Sequence, residues 1–396
     1  MKRKFPTVTC LASAVLVIPS TADVIYSNLQ DLAIPADFDG VFLNVETGAW
    51  NNDTNSPVTG WDINAFFGGT VLWNSPSFQP VRSGTTSTSA VLNLATGTTV
   101  SSGSAFSTFT QGPGGQNPGG AAYGASETHV GTGTGKFVAG EEGYMGFQLN
   151  GGNYGYMRVV FTDNTGGALI KEWAYDNSGA AISTGNIVRT GSNVSMDTTA
   201  GAFTVSSAIT DSAGTTNLIK SGSNTATLSG SSSYTGTTTV SAGTLLVSGA
   251  LGSSGSSTGV VSVNSGASLG GSGEIYGSVT FDGGSYLAIQ EIANPLKVTG
   301  SVTFGAGFGV DNLTGIDWDS LDIGTHTLIS DTTTSFSVAN IDNFGIDNKV
   351  SVGSQDRFAY FQNGSLALVV IPESSTTLMG LSGLLALSLL RRRRSA

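Results

Sequence analysis

The chain has 396 residues, 56 of them glycine, only 11% charged, with a formal net charge of −11. Setting aside Lys2, Arg3, Lys4, Arg391 to Arg394 and Glu373 leaves nine basic against 26 acidic residues in the body. An acidic body without clustered lysine and arginine excludes binding to a phosphate backbone, so no nucleic-acid partner is predicted. Helical periodicity is almost absent, and short β-branched and aromatic runs between Gly, Asn, Asp and Ser indicate an all-β chain.

Residues 1–22 read as a secretory signal peptide. Lys2-Arg3-Lys4 is its positive start, Phe5 to Ile18 its apolar run, and Ser20-Thr21-Ala22 places small residues for cleavage after Ala22. The single cysteine, Cys10, would leave with it, so the mature body is expected to lack disulfides and thiolate metal sites.

Residues 23–191 form the first predicted domain, a β-sandwich-like unit of two antiparallel sheets. It holds Trp50, Trp61, Trp73 and Trp173, four of the five tryptophans. Strands are expected over 40–45, 70–73, 90–94, 144–149, 156–162 and 169–175. Met157, Val159 and Phe161 alternate with Arg158, Val160 and Thr162, so the two sets face opposite sides. Residues 111–124, rich in Gly and Pro, are expected to be a long surface loop. The stretch from Gly155 to Gly185 resembles one found in exported PEP-CTERM proteins, which implies a hairpin turning at Asp163–Gly167 and no particular activity.

A Ser/Thr-rich join is expected over 190–214. Residues 217–248 then resemble the autotransporter-associated β-strand repeat, through Lys220, Gly222, Thr227, Leu228, Gly230, Tyr234, Thr235, Gly236, Thr238, Val240, Gly243, Thr244 and Leu245. Short strands follow at 260–263, 278–281, 286–289, 297–299 and 301–304. None buries a core alone, but stacked as rungs each covers its neighbour. Residues 192–370 are therefore predicted to form a right-handed β-helix-like domain, with glycines giving positive φ at its corners and 365–371 as its last strand.

The chain closes on residues 371–396. Pro372-Glu373 precedes a short apolar stretch, and Arg391, Arg392, Arg393 and Arg394 follow. In that order these residues resemble the PEP-CTERM sorting signal, with Ser374 where the usual second proline stands. The resemblance implies a membrane helix with its arginines on the cytoplasmic side, transient anchoring in the inner membrane of a Gram-negative bacterium, and processing by an exosortase-type enzyme.

Chemistry-bearing residues are few. His129 and His326 sit in no ligand spacing and are expected to be structural or superficial. Glu141 and Glu142, adjacent on the chain, are expected in a solvated turn. Asp311, Asp317, Asp319 and Asp322 could hold Ca²⁺ but read better as turn formers. No nucleophile elbow, P-loop or dinucleotide fingerprint occurs. The expectation is a non-enzymatic surface or matrix protein with no cofactor or metal, structural or adhesive in role, with extracellular polysaccharide as a possible partner. The alternative is a carbohydrate-binding protein or a polysaccharide-degrading enzyme.

Overall fold

The computed structural model describes residues 22–85, 89–106, 129–212, 214–255, 258–330, 340–362 and 366–372. The loop expected over 111–124, the leader up to residue 21, and the tail from Glu373 onward fall outside the described residues. Within them the chain is all-β, interrupted only by 3-10 turns such as Phe67–Gly69 and Val310–Asn312. Among the described residues no helix is long and apolar enough to cross a membrane.

The amino-terminal part is built on one hairpin. Asn153–Val160 and Ala168–Asp176 pair antiparallel, and Glu142–Leu149 adds on the outer side of the first. The expected alternation decides what each face meets. Met157, Val159 and Phe161 share a core with Val41, Leu43, Ile63 and Leu72 of a second antiparallel sheet, formed by Trp50–Asn51, Val41–Leu43, Ile63–Phe66 and Val71–Asn74. Tyr154, Tyr156 and Ala174 face the other way, into a larger core that continues through the rest of the molecule.

That continuity is made by the strand Ala22–Tyr26. It pairs antiparallel with Ala168–Asp176 on one side and parallel with Phe203–Val205 on the other. The sheet therefore runs from the amino-terminal part straight into the first rung of a β-solenoid of about five turns.

The solenoid has three parallel faces. The first stacks Asn193–Asp197, Asn217–Ser221, Thr238–Val240, Val261–Val263, Val279–Phe281 and Val302–Phe304. Phe203–Val205, Thr225–Leu228, Thr244–Val247, Ser268–Gly270, Tyr286–Ala288 and Leu313–Thr314 make the second. The third consists of Ser231–Ser232, Ala250–Leu251, Glu274–Ile275, Leu296–Val298 and Ile329–Ser330. Inward residues stack in columns: Leu245 on Leu269 on Leu287, and Phe281 on Phe304 with ring centroids 5.2 Å apart. Each rung thus covers its neighbour's apolar row.

Two expectations are corrected. The join over 190–214 is in fact the first rung, because Val194, Met196, Phe203, Val205 and Ile209 are all buried in the solenoid core. Its apolar positions are spaced by single Ser, Thr and Asn residues, which disguises two short strands as a linker.

The stacked strands also end earlier than residue 370. Ala367–Pro372 lies antiparallel to Arg357–Gln362 and to Gly324–Thr327, in a separate four-stranded sheet. A six-residue strand exceeds the two to five residues that a face of the coil accommodates. This sheet closes the core instead, with Phe361 placed 6.2 Å from Phe308 and Leu368 and Val370 buried behind it.

The corner glycines act in two ways: several, such as Gly222, Gly243, Gly266, Gly271 and Gly284, have the expected positive φ, and others serve close approach. A Cβ on Gly249 would meet Gly230 O at 2.3 Å, on Gly273 would meet Gly249 O at 2.1 Å, and on Gly300 would meet Gly277 O at 2.4 Å. None of these three has a positive φ; Gly222 and Gly243 do. Two of the corner columns therefore need glycine because successive turns touch backbone to backbone there.

Candidate functional site

Within the rung that begins at Asn217, two large polar side chains, Lys220 and Tyr234, point inward beside the small Ser232. Lys220 is fully buried in the column between Met196 and Val240. Its Nζ donates to the carbonyls of Ser221 (2.9 Å), Gly222 (2.9 Å) and Ala242 (2.8 Å), which line the corner after the strand. Burial pushes the ammonium down to about 8. Tyr234 is equally buried, its hydroxyl 2.5 Å from Thr238 Oγ1, and burial pushes the phenol up. Both side chains tie one turn to the next.

The densest charged constellation lies where the amino-terminal sheet meets the solenoid. Arg158 Nε is 2.8 Å from Glu172 Oε1 and its Nη1 is 2.9 Å from Glu142 Oε2, while Nη2 donates to the carbonyl of Arg189. Lys171 pairs with the other oxygen of Glu142. Glu172 also accepts from Tyr26 Oη at 2.5 Å and from the Arg189 amide at 3.1 Å. Arg189 in turn donates to Gly191 O (2.9 Å), Ser212 Oγ (3.1 Å) and Thr216 Oγ1 (2.9 Å), reaching the solenoid. Burial pushes the Glu172 carboxyl up despite the opposing pull of Arg158. For Glu142 burial pushes upward too, but Lys171 and Arg158 together hold it below the usual carboxylate range. Every carboxylate oxygen here is engaged by the protein itself. The arrangement is a clasp between two parts of one chain, and it leaves no carboxylate free to serve as an acid or base.

Among the described residues, two of the open clefts are of similar size. One of about 300 Å³ lies beside the junction, lined by Thr96, Ser183, Thr184, Asn186, Asp197 and Thr199. The other, about 290 Å³, is lined among others by Ile289, Ile292, Ile316, Asp317, Asp322 and His326.

Residues 218–247 match a family model described as the passenger-associated-transport-repeat. No curated protein and no solved structure matches the chain. The matched stretch starts in the face-one strand Asn217–Ser221 and ends in the face-two strand Thr244–Val247, so this passenger repeat is one full turn of the coil plus the start of the next. Lys220, Gly222, Tyr234, Gly236 and Gly243, on which the sequence resemblance rests, fall inside it. In the repeat, Lys220 caps corner carbonyls and Gly236 allows backbone contact, since a Cβ there would lie 2.2 Å from Thr216 O.

The residues singled out in the sequence are placed as follows. Ala22 opens the first strand, opposite Phe203. Pro372 ends the last described strand, paired with Arg357 and exposed; Glu373 and Arg391 to Arg394 lie outside the described residues. His129 is buried, its Nε2 2.7 Å from Gly69 O and its ring against Phe137 and Phe161. Burial pushes it down to about 4. His326 is half-buried, with Nε2 2.8 Å from Asp322 O. The expected aspartate group does not converge. Asp319 clasps Ser354 through N (2.7 Å) and Oγ (2.8 Å), and Asp317 accepts from the Asp319 amide at 3.2 Å. Among the described residues no three His, Cys, Asp or Glu side chains are grouped to hold a metal. Glu142 stands apart from its expected place in a solvated turn. It begins a strand and joins the clasp, though like Glu141 it remains exposed.

Sequence reading missed Glu172, and a β-bulge explains why. Arg158 pairs with Glu172 but Val159 pairs with Ile170, so the register slips at Lys171. Strict alternation would put Glu172 on the same side as Ile170; the bulge turns it to the opposite face, beside Arg158. The available signal was the lone arginine in the strand Asn153–Val160, which needs a buried counter-charge.

Proposed function

We propose that this is an exported, non-enzymatic surface or matrix protein whose β body does structural or adhesive work. The observation that carries the reading is the passenger repeat forming a turn of a β-solenoid joined at one end to a second β unit and closed at the other. In this reading the leader is removed after Ala22, and Pro372, Glu373 and Arg391 to Arg394 form a PEP-CTERM-like sorting signal handled by an exosortase-type enzyme at the membrane. Extracellular polysaccharide is the partner. The test is deletion of the gene in its host, followed by assays of cell aggregation, attachment and retained matrix polysaccharide. Unchanged behaviour in all three overturns the reading.

A carbohydrate-binding reading has one observation in its favour. The junction cleft is lined by Thr96, Ser183, Thr184, Asn186, Asp197 and Thr199, residues whose hydroxyl, amide and carboxylate groups are of the kinds that bind sugar hydroxyls. Titration calorimetry with soluble oligosaccharides tests it, and Asn186→Ala should abolish the signal if the cleft is responsible.

A further inference from the structure

The first strand carries a buried anionic site that the clasp does not use. Asp176 is fully buried, at 0% exposure. Its Oδ1 accepts from Ser178 N (3.0 Å), Ser178 Oγ (2.9 Å) and Ala180 N (2.6 Å). Its Oδ2 accepts from Ser178 Oγ at 3.2 Å and, at 2.5 Å, from the backbone nitrogen of Asp23. Asp23 brings a second carboxylate, whose Oδ1 is buried without a hydrogen-bond partner. Among the described residues neither Asp23 nor Asp176 is paired with a cationic side chain. The buried Asp176 carboxylate is therefore met by neutral donors alone, an arrangement that disfavours burial of its charge.

The nitrogen in that contact is also the one that removal of the leader would liberate. Hydrolysis of the Ala22–Asp23 amide breaks its C–N bond. Water gives hydroxyl to the Ala22 carbonyl carbon and hydrogen to the Asp23 nitrogen, which takes one more proton from solvent near neutral pH. A neutral amide donor thereby becomes a cation at the same point. We propose that Asp176 is the receptor for the α-ammonium of Asp23, so that cleavage of the exported chain completes a buried ion pair and locks the first strand between the two β units. This rests on the proposed processing after Ala22. It also requires cleavage before folding, since the bond adjoins a paired, half-buried strand end.

The experiment compares the exported, cleaved protein with an uncut chain prepared without export, each with and without Asp176→Asn. Sequencing the amino terminus comes first. A start other than Asp23 sinks the processing reading and, with it, the natural occupant of the site. Given a start at Asp23, NMR titration should find the α-amine raised by about one unit above its ordinary value of roughly 7.7–8.0. Asp176→Asn should return it. The sign for stability follows: a cation with a raised folded pKa stabilises below its unfolded value, and that gain is lost as pH rises through the folded value. The cleaved protein should therefore lose its Tm advantage between about pH 8 and 10, while the uncut chain shows no such loss. Asp176→Asn can fail to fold, so the wild type is read independently with an acylating reagent. A paired α-ammonium should react about tenfold more slowly than that of an Asp-initiated peptide at pH 7, the factor expected for one unit. An ordinary titration, or a reaction as fast as the peptide's, overturns the proposal even when the amino terminus is Asp23.

Discussion

His129 shows how one buried group sets a pH window. Held neutral with a pKa of about 4, it has an unfolded counterpart titrating near 6.5. Between those values the unfolded chain binds the proton and the native one does not, so stability falls as pH drops from about 6.5 to 4. The full effect is about 3 kcal/mol. His129→Gln keeps a donor for Gly69 O and removes the titration. The difference between the two proteins' urea midpoints should therefore widen in favour of the variant from pH 7 to pH 4.5; a constant difference would refute the assignment. Glu172, raised by burial, works in the opposite sense, which is why the difference is measured rather than the wild-type curve alone. Arg158 carries a second prediction. Arg158→Met leaves Glu172 buried without its cation and should cost about 3–5 kcal/mol, whereas adding Glu172→Gln should restore at least half, read by chemical denaturation.

Among the elements, the corner columns make the sharpest prediction. Gly273→Ala and Gly300→Ala place a methyl group within van der Waals radii of backbone that cannot move without shifting a whole turn. Each should cost about 1–3 kcal/mol. Gly201→Ala, where a Cβ would meet nothing within 4 Å, serves as the control and should be neutral or slightly stabilising in thermal melts. The rungs were the most legible part of the sequence, because each is a run of alternating Val, Leu, Ile or Phe between glycines. The expected strands at 278–281 and 301–304 differ from Val279–Phe281 and Val302–Phe304 by a single residue. Strand order was not legible. Nothing local in residues 22–26 announces a parallel partner at Phe203–Val205, and the bulge at Lys171 reverses the alternation along the strand Ala168–Asp176. The junction clasp went unread for the same reason: Tyr26, Glu142, Arg158, Glu172 and Arg189 come from five separate strands and meet only once the register is known.

At the scale of the whole molecule, the shared core predicts that the two β units do not part. A chain ending at Thr190 would lose Phe203, Val205 and Ile209 from behind Tyr154 and Tyr156, together with the parallel partner of the first strand. Such a fragment should be digested by protease at least as fast as a denatured control, whereas the intact chain should resist and melt in one transition. A stable, resistant fragment would show two independent domains.

The strand Ala22–Tyr26 also fixes a timetable for a chain that emerges amino end first. The earliest segment to arrive finds its last partner late, since Tyr26 waits for Ser207, 181 residues further on. Until that point the first strand lacks its parallel partner. From then on each new turn can add to the edge of the turn before it. For a protein crossing a membrane, that late, stepwise closure works as a ratchet that opposes backsliding.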